Sequence, residues 1–180
     1  MFTCISMLRG INVGGQKRVK MDELLSLYES LGFKNVETYL QSGNVVFSSP
    51  ESDMSALAEK IEAGINRMLN ISVAVLLRIP DELKRIIDGN PFLKEEGIDA
   101  GKLHVTFLSG VPSESSLARL RETKGGPDRF IAAGEEIYLY CPGGYGRTKF
   151  SNQFFEKVLG VAATTRNWKT VNALLEITEK

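Results

Sequence analysis

The chain has 180 residues, 43% of them hydrophobic and 24% charged, and its 22 basic side chains are balanced by 22 acidic ones. That length allows one compact domain or two small ones, with core enough to fold without disulfide staples or a structural metal. The zero net charge and a pI near 6.6 exclude a protein that coats nucleic acid by bulk attraction. Cys4 and Cys141 each sit in an apolar run and form no Cys-x-x-Cys pair, which points to a reducing compartment. A single histidine, His104, excludes any site built on two imidazoles. The first residues carry no basic segment and their apolar run stops at Leu8, too short for a secretory signal. No stretch approaches the roughly 20 apolar residues a membrane span needs. The expectation is therefore a cytoplasmic chain without membrane attachment.

In chain order, Phe2–Leu8 reads as a buried strand and 9–20 as a glycine-rich loop. Met21–Leu31 reads as a helix, with Leu24, Tyr28 and Leu31 at helical spacing, Asp22 and Glu23 in the first turn and Gly32 at the C-terminal end. Asn35–Leu40 and Val45–Ser48 form a hairpin around Ser42-Gly43. A second helix over Asp53–Leu69 aligns Met54, Leu57, Ile61, Ile65 and Met68. Ile71–Ile79 is a β-branched strand closed by Pro80. The first eighty residues thus follow the βαββαβ order of ferredoxin-like units. The second half begins the same way: Pro80–Asp88 connects, Lys102–Leu108 is a strand, Ser113–Thr123 a helix, Arg129–Ala132 with Ile137–Cys141 a hairpin, and Phe150–Leu159 a helix. Asn167–Ile177, with Val171, Leu174 and Leu175 aligned, then closes the chain as a helix where a sixth strand would stand. The predicted fold is α+β: two packed βαββα(β) ferredoxin-like halves with mainly antiparallel sheets, helices on one face and an extra C-terminal helix. The predicted divisions are 1–80, a connecting helix and linker over 81–101, and 102–180.

Four basic residues and no acid occupy the segment from Arg9 to Lys20, between the first strand and first helix. Glycines let backbone N–H groups turn toward a ligand, and a helix start adds partial positive charge. This is the chemistry of an anion cradle, although the same loop would serve as a plain connection with solvated lysines. It matches neither the Walker A loop nor Gly-x-Gly-x-x-Gly. Strand directions in a βαββαβ unit place this loop beside the hairpin tip Gln41-Ser42-Gly43-Asn44. Two further basic segments lie toward the C-terminus, one around Arg147 and Lys149. In the other, Thr164 or Thr165 reads as an N-cap, which sets Arg166 and Asn167 in a first helical turn beside Trp168. His104 alternates away from Leu103, Val105 and Phe107 and reads as structural. No nucleophile elbow or metal-like cluster of His and Cys occurs.

The segments Arg9-Gly-Ile-Asn-Val-Gly-Gly15, Lys20-Met21, Leu31-Gly32-Phe33, Tyr39-Leu-Gln-Ser-Gly-Asn-Val-Val-Phe47, Asn90-Pro-Phe92 and Arg166-Asn-Trp-Lys-Thr-Val171 run through nearly the whole chain. Together they resemble a bacterial family of uncharacterised proteins, domain of unknown function 1697. The resemblance implies a duplicated α+β architecture and brings no activity with it. Its marking segments are loops, turns and a helix start, which more often carry sites than cores do. The leading expectation is a site for an anionic, phosphate-bearing ligand, a nucleotide or short single-stranded nucleic acid. Arg9, Asn12, Gly14, Gly15, Lys20, Ser42 and Asn44 would build it, with Arg147, Lys149, Arg166 and Asn167 as further candidates. No metal or cofactor is expected. Two alternatives stand beside it: an enzyme acting on a phosphorylated small molecule, and an interaction module whose sheet face or edge binds a protein.

Overall fold

Alternation along the first strand sets up the first sheet. In β1 (Phe2–Leu8) Cys4, Ser6 and Leu8 point to one side and Ile5 and Met7 to the other, and all five are buried. After α1 (Met21–Ser30) come β2 (Lys34–Tyr39), β3 (Asn44–Ser49), α2 (Met54–Leu69) and β4 (Val75–Arg78). The sheet order is β2-β3-β1-β4, antiparallel throughout. Leu24, Leu27 and Tyr28 of α1 and Leu57, Ile61 and Ile65 of α2 pack on the side of Cys4, Leu8, Val45 and Phe47. Tyr28 meets Phe47 edge-on at 5.4 Å and its hydroxyl lies 2.6 Å from Ser6 Oγ; burial drives its pKa up. The Asp53 carboxylate accepts from Ala56 N–H at 3.1 Å and so starts α2.

The computed structural model describes residues 1–180 and divides into two units, Met1–Lys84 with Leu174–Lys180, and Arg85–Ala173. The division falls inside α3 (Pro80–Asp88). The second unit holds β5 (Leu103–Leu108), α4 (Glu114–Arg121), β6 (Arg129–Ala133), β7 (Glu136–Tyr140), α5 (Asn152–Leu159) and β8 (Ala163–Asn167), and α6 (Trp168–Thr178) begins in it and belongs to the first unit from Leu174 on. Its sheet order, β6-β7-β5-β8, repeats the first with each strand in the corresponding place. The repeat reaches individual bonds. Leu8 N–H donates to Gly43 O at 2.9 Å and Leu108 N–H to Glu135 O at 2.8 Å, while Arg9 N–H to Ala74 O and Ser109 N–H to Ala162 O are both 2.9 Å. Leu108, Leu120, Ile137, Leu139, Phe150 and Phe155 form the core under α4 and α5. No helix is long and apolar enough to cross a membrane.

One element differs from the sequence reading. The segment Ala-Thr-Thr-Arg-Asn is strand β8, so the sixth position of the second half is filled, and α6 is an addition after it. Pairing with β5, from Leu108↔Ala163 to His104↔Asn167, makes it a strand, helped by Thr106 and Thr165 hydroxyls 2.7 Å apart. Asn167, rather than Thr164 or Thr165, caps the helix: its Oδ1 accepts from Thr170 N–H at 2.8 Å. Arg166 therefore lies in a strand and not in a helical turn. His104 sits as expected opposite the buried Leu103, Val105 and Phe107; it is half-buried and stacks on Tyr145 at 4.8 Å, with burial lowering its pKa.

Candidate functional site

Antiparallel order brings the end of β1, the β2–β3 hairpin and the start of β4 to one end of the first sheet. Residue pairing fixes this: Met7 opposes Asn44 and Leu8 opposes Val75. The β1–α1 loop is then tied to both neighbours. Asn12, in the left-handed region at φ 56°, donates from Nδ2 to Val19 O at 2.9 Å and Gln41 O at 2.7 Å. Its Oδ1 accepts from Val19 N–H at 2.8 Å. Both N–H arms and the oxygen of that amide are engaged, so Asn12 latches the loop shut and joins it to the hairpin. Lys17 Nζ donates to Ser72 O at 2.7 Å, anchoring the loop to the run before β4.

Below the latch opens a cleft of about 690 Å³ lined by Asn12, Gly15, Arg18, Val19, Lys20, Glu23 and Gln41. Its ionic groups are two cations, Arg18 and Lys20, against one carboxylate, Glu23. Lys20 immediately precedes α1 in extended conformation, and no side chain caps that helix start. The first-turn amides are thus available beside the cations, a combination that favours an anion. Gly14 and Gly15 hold φ of 60° and 76°, a conformation costing a residue with a side chain about 1–2 kcal/mol.

Of the residues expected at this end, Asn12, Gly15 and Lys20 line the cleft. Gly14 is exposed in the same loop, and Arg9 is half-buried with its N–H on Ala74 O. Asn44 is fully buried and braces the hairpin, donating to Tyr39 O at 2.7 Å and Ser42 Oγ at 2.9 Å. Arg18 and Glu23 lie outside the expected set, and Gln41 enters the cleft from the hairpin tip. Arg18 belongs to the basic run, but only the anchoring of Lys17 on Ser72 shows which of the two neighbouring cations is left to the cleft.

The other candidates belong to the second unit. Arg147 and Lys149 are exposed, Arg147 at the end of a 3-10 turn. Arg166 is only 6% exposed; its Nη1 donates to Thr164 Oγ1 at 2.7 Å and Thr165 O at 3.0 Å, and burial pulls its pKa down to about 10. It is an internal strand residue, as is Arg78 at the corresponding position of β4, whose Nη1 donates to Leu77 O at 2.8 Å. Asn167 is the cap of α6.

Two comparisons bear on this arrangement. The chain is similar in structure to a conserved bacterial protein of Streptococcus pneumoniae, with a TM-score of 0.77 at 22% identity over 98% of each chain. That likeness concerns the fold. No curated protein matches the sequence. A family model described as a protein of unknown function, DUF1697, matches residues 1–138, which include the whole first sheet, the latched loop and its cleft. The chain belongs to the DUF1697 family.

Proposed function

We propose that the first unit binds a phosphate-bearing ligand, such as a mononucleotide or the end of a short single-stranded nucleic acid, in the cleft beneath Asn12. The observation that carries this reading is the convergence of Arg18, Lys20 and the uncapped start of α1 on one cleft. The three-armed bond of Asn12 holds that cleft in shape before any ligand arrives. Charge-assisted hydrogen bonds contribute about 1.5–3 kcal/mol each, so two cations give affinities of tens of micromolar or weaker before ordering costs. Arg9 and Ser42 stand at the same sheet end, and Asn44 supports the hairpin from behind.

Thermal unfolding of the chain with inorganic phosphate, AMP, a 5′-phosphorylated dinucleotide and unphosphorylated adenosine tests this. Phosphate-bearing ligands raise Tm saturably, since ligand at 100 times Kd stabilises by about 2.7 kcal/mol, and adenosine does not. The double variant Arg18→Glu/Lys20→Glu, altered only at exposed side chains, loses the shift. Equal shifts for parent and variant, or none at millimolar ligand, refute the site. A steep fall of affinity with salt would favour the nucleic acid over the mononucleotide.

A further inference from the structure

Each four-stranded sheet ends in two edge strands, and an edge presents unpaired N–H and C=O groups to its surroundings. In the first unit β4 is buried along all four residues. There β2 is interrupted by a register shift between Lys34 and Glu37, and Lys180 pairs with Glu37 at 3.3 Å. In the second unit Ala163, Thr164 and Arg166 of β8 are buried. Strand β6 carries an ion pair at its first residue, Arg129 with Glu95, and has neither a register shift nor a buried run. Its five residues follow β7 in unbroken register from Arg129↔Tyr140 to Ala133↔Glu136, and none of them is fully buried.

A groove of about 750 Å³ runs beside that edge, between β6 and the C-terminal end of α4. Its floor is apolar, from the half-buried Phe130 and Ala132, with Phe150 buried beneath them. The far wall carries Arg121 and Lys124, both exposed and without an ion pair, and they outnumber Asp128, the one carboxylate of the lining. Arg129 also lines the groove, but its guanidinium is matched by Glu95 through both carboxylate oxygens at 2.8 and 2.9 Å. The loop between α4 and β6 lies directly on the Phe150 ring: a Cβ at Gly125 would stand 2.3 Å from Cε2. A strand edge, an apolar floor and an opposite wall with two unmatched cations form a trough of the kind that receives an extended peptide.

We propose that this groove docks an extended, acidic segment of a protein partner as a fifth strand against β6. The partner's main chain bonds the open edge, its alternate apolar side chains rest on Phe130 and Ala132, and its carboxylates meet Arg121 and Lys124. Charge selects this occupant. A second copy of the chain, joined edge to edge, would offer Arg-Phe-Ile-Ala-Ala, which has no acid for those cations.

The test is fluorescence anisotropy with a capped, labelled decapeptide of alternating Val and Glu. Comparators carry Lys in place of Glu, or N-methyl groups on one or the other alternate set of amides. The Val/Glu peptide binds saturably, and Arg121→Glu/Lys124→Glu weakens it about tenfold or more. N-methylation of one amide set abolishes binding while the other is tolerated, because alternate amides of a strand face opposite sides. Amide exchange of Arg129–Ala133 slows when the peptide is bound. Failure of the Val/Glu peptide to bind, equal binding of the Val/Lys peptide, or indifference to both N-methyl sets overturns the proposal. Protection of β6 that grows with protein concentration alone also overturns it, in favour of self-association.

Discussion

Replacing Asn12 by alanine isolates the latch that shapes the cleft. The substitution removes three hydrogen bonds, two part-buried and one exposed, and leaves a residue with a Cβ but no compensating polar group at φ 56°. At about 1 kcal/mol for each part-buried bond, about 0.5 for the exposed one and about 1 for the left-handed backbone, the loss is about 3.5 kcal/mol. Asn12→Gly removes the same bonds but accepts the backbone, so its loss is about 2.5 kcal/mol. For a chain of this size each kcal/mol lowers Tm by about 2–4 °C, so the alanine variant melts about 7–14 °C below the parent. Urea unfolding of parent, Asn12→Ala and Asn12→Gly measures the series directly. A loss below about 0.5 kcal/mol for Asn12→Ala, or the glycine variant less stable than the alanine one, would refute the latch.

Three further outcomes follow from the packing. Gly43→Ala combines φ 84° with a Cβ 2.6 Å from Ile11 Cδ1 and 3.1 Å from Leu8 Cβ; about 2–3 kcal/mol is lost in denaturant unfolding, and a neutral result would contradict the contact. Gly125→Ala destabilises through Phe150 alone, since its φ is not positive, so in a double-mutant cycle Phe150→Leu relieves part of that loss; strict additivity would refute it. Burial lowers the His104 pKa below its ordinary 6.5, so the unfolded chain binds the proton more readily. The stability His104 contributes is present above pH 6.5 and is lost as pH falls through its lowered folded value. Accordingly His104→Phe, which retains an aromatic ring against Tyr145, shows a shallower fall in stability from pH 7 to 5; equal slopes would refute the assignment.

The first half of the chain was legible because periodicity and punctuation agree there. Phe2–Leu8 alternates between two buried faces, and Asp53 marks the start of α2. The proximity of the basic loop to the hairpin followed from strand direction alone, and the Asn12–Gln41 bond is its structural form. Strand β8 was not legible, because Ala163–Asn167 is polar and short and becomes a strand only by pairing with β5. Read as a helix start, the segment sets Arg166 in a first helical turn, whereas the ladder turns it inward to bond Thr164 and Thr165. Asn12 and Asn44 looked like ligand groups because a sequence does not reveal which amides the loop itself consumes. The groove beside β6 likewise arises from residues distant in sequence, the end of α4 and Phe150, meeting along one strand edge.

The proposed phosphate site lies where Arg18, Lys20 and the start of α1 converge. A heteronuclear NMR titration of the chain with AMP reads this residue by residue. Saturable shifts are expected in the amides of residues 14–23 and of Gln41, absent with adenosine and lost in Arg18→Glu/Lys20→Glu. Shifts confined to other parts of the chain, or amides unmoved at millimolar AMP, would contradict it.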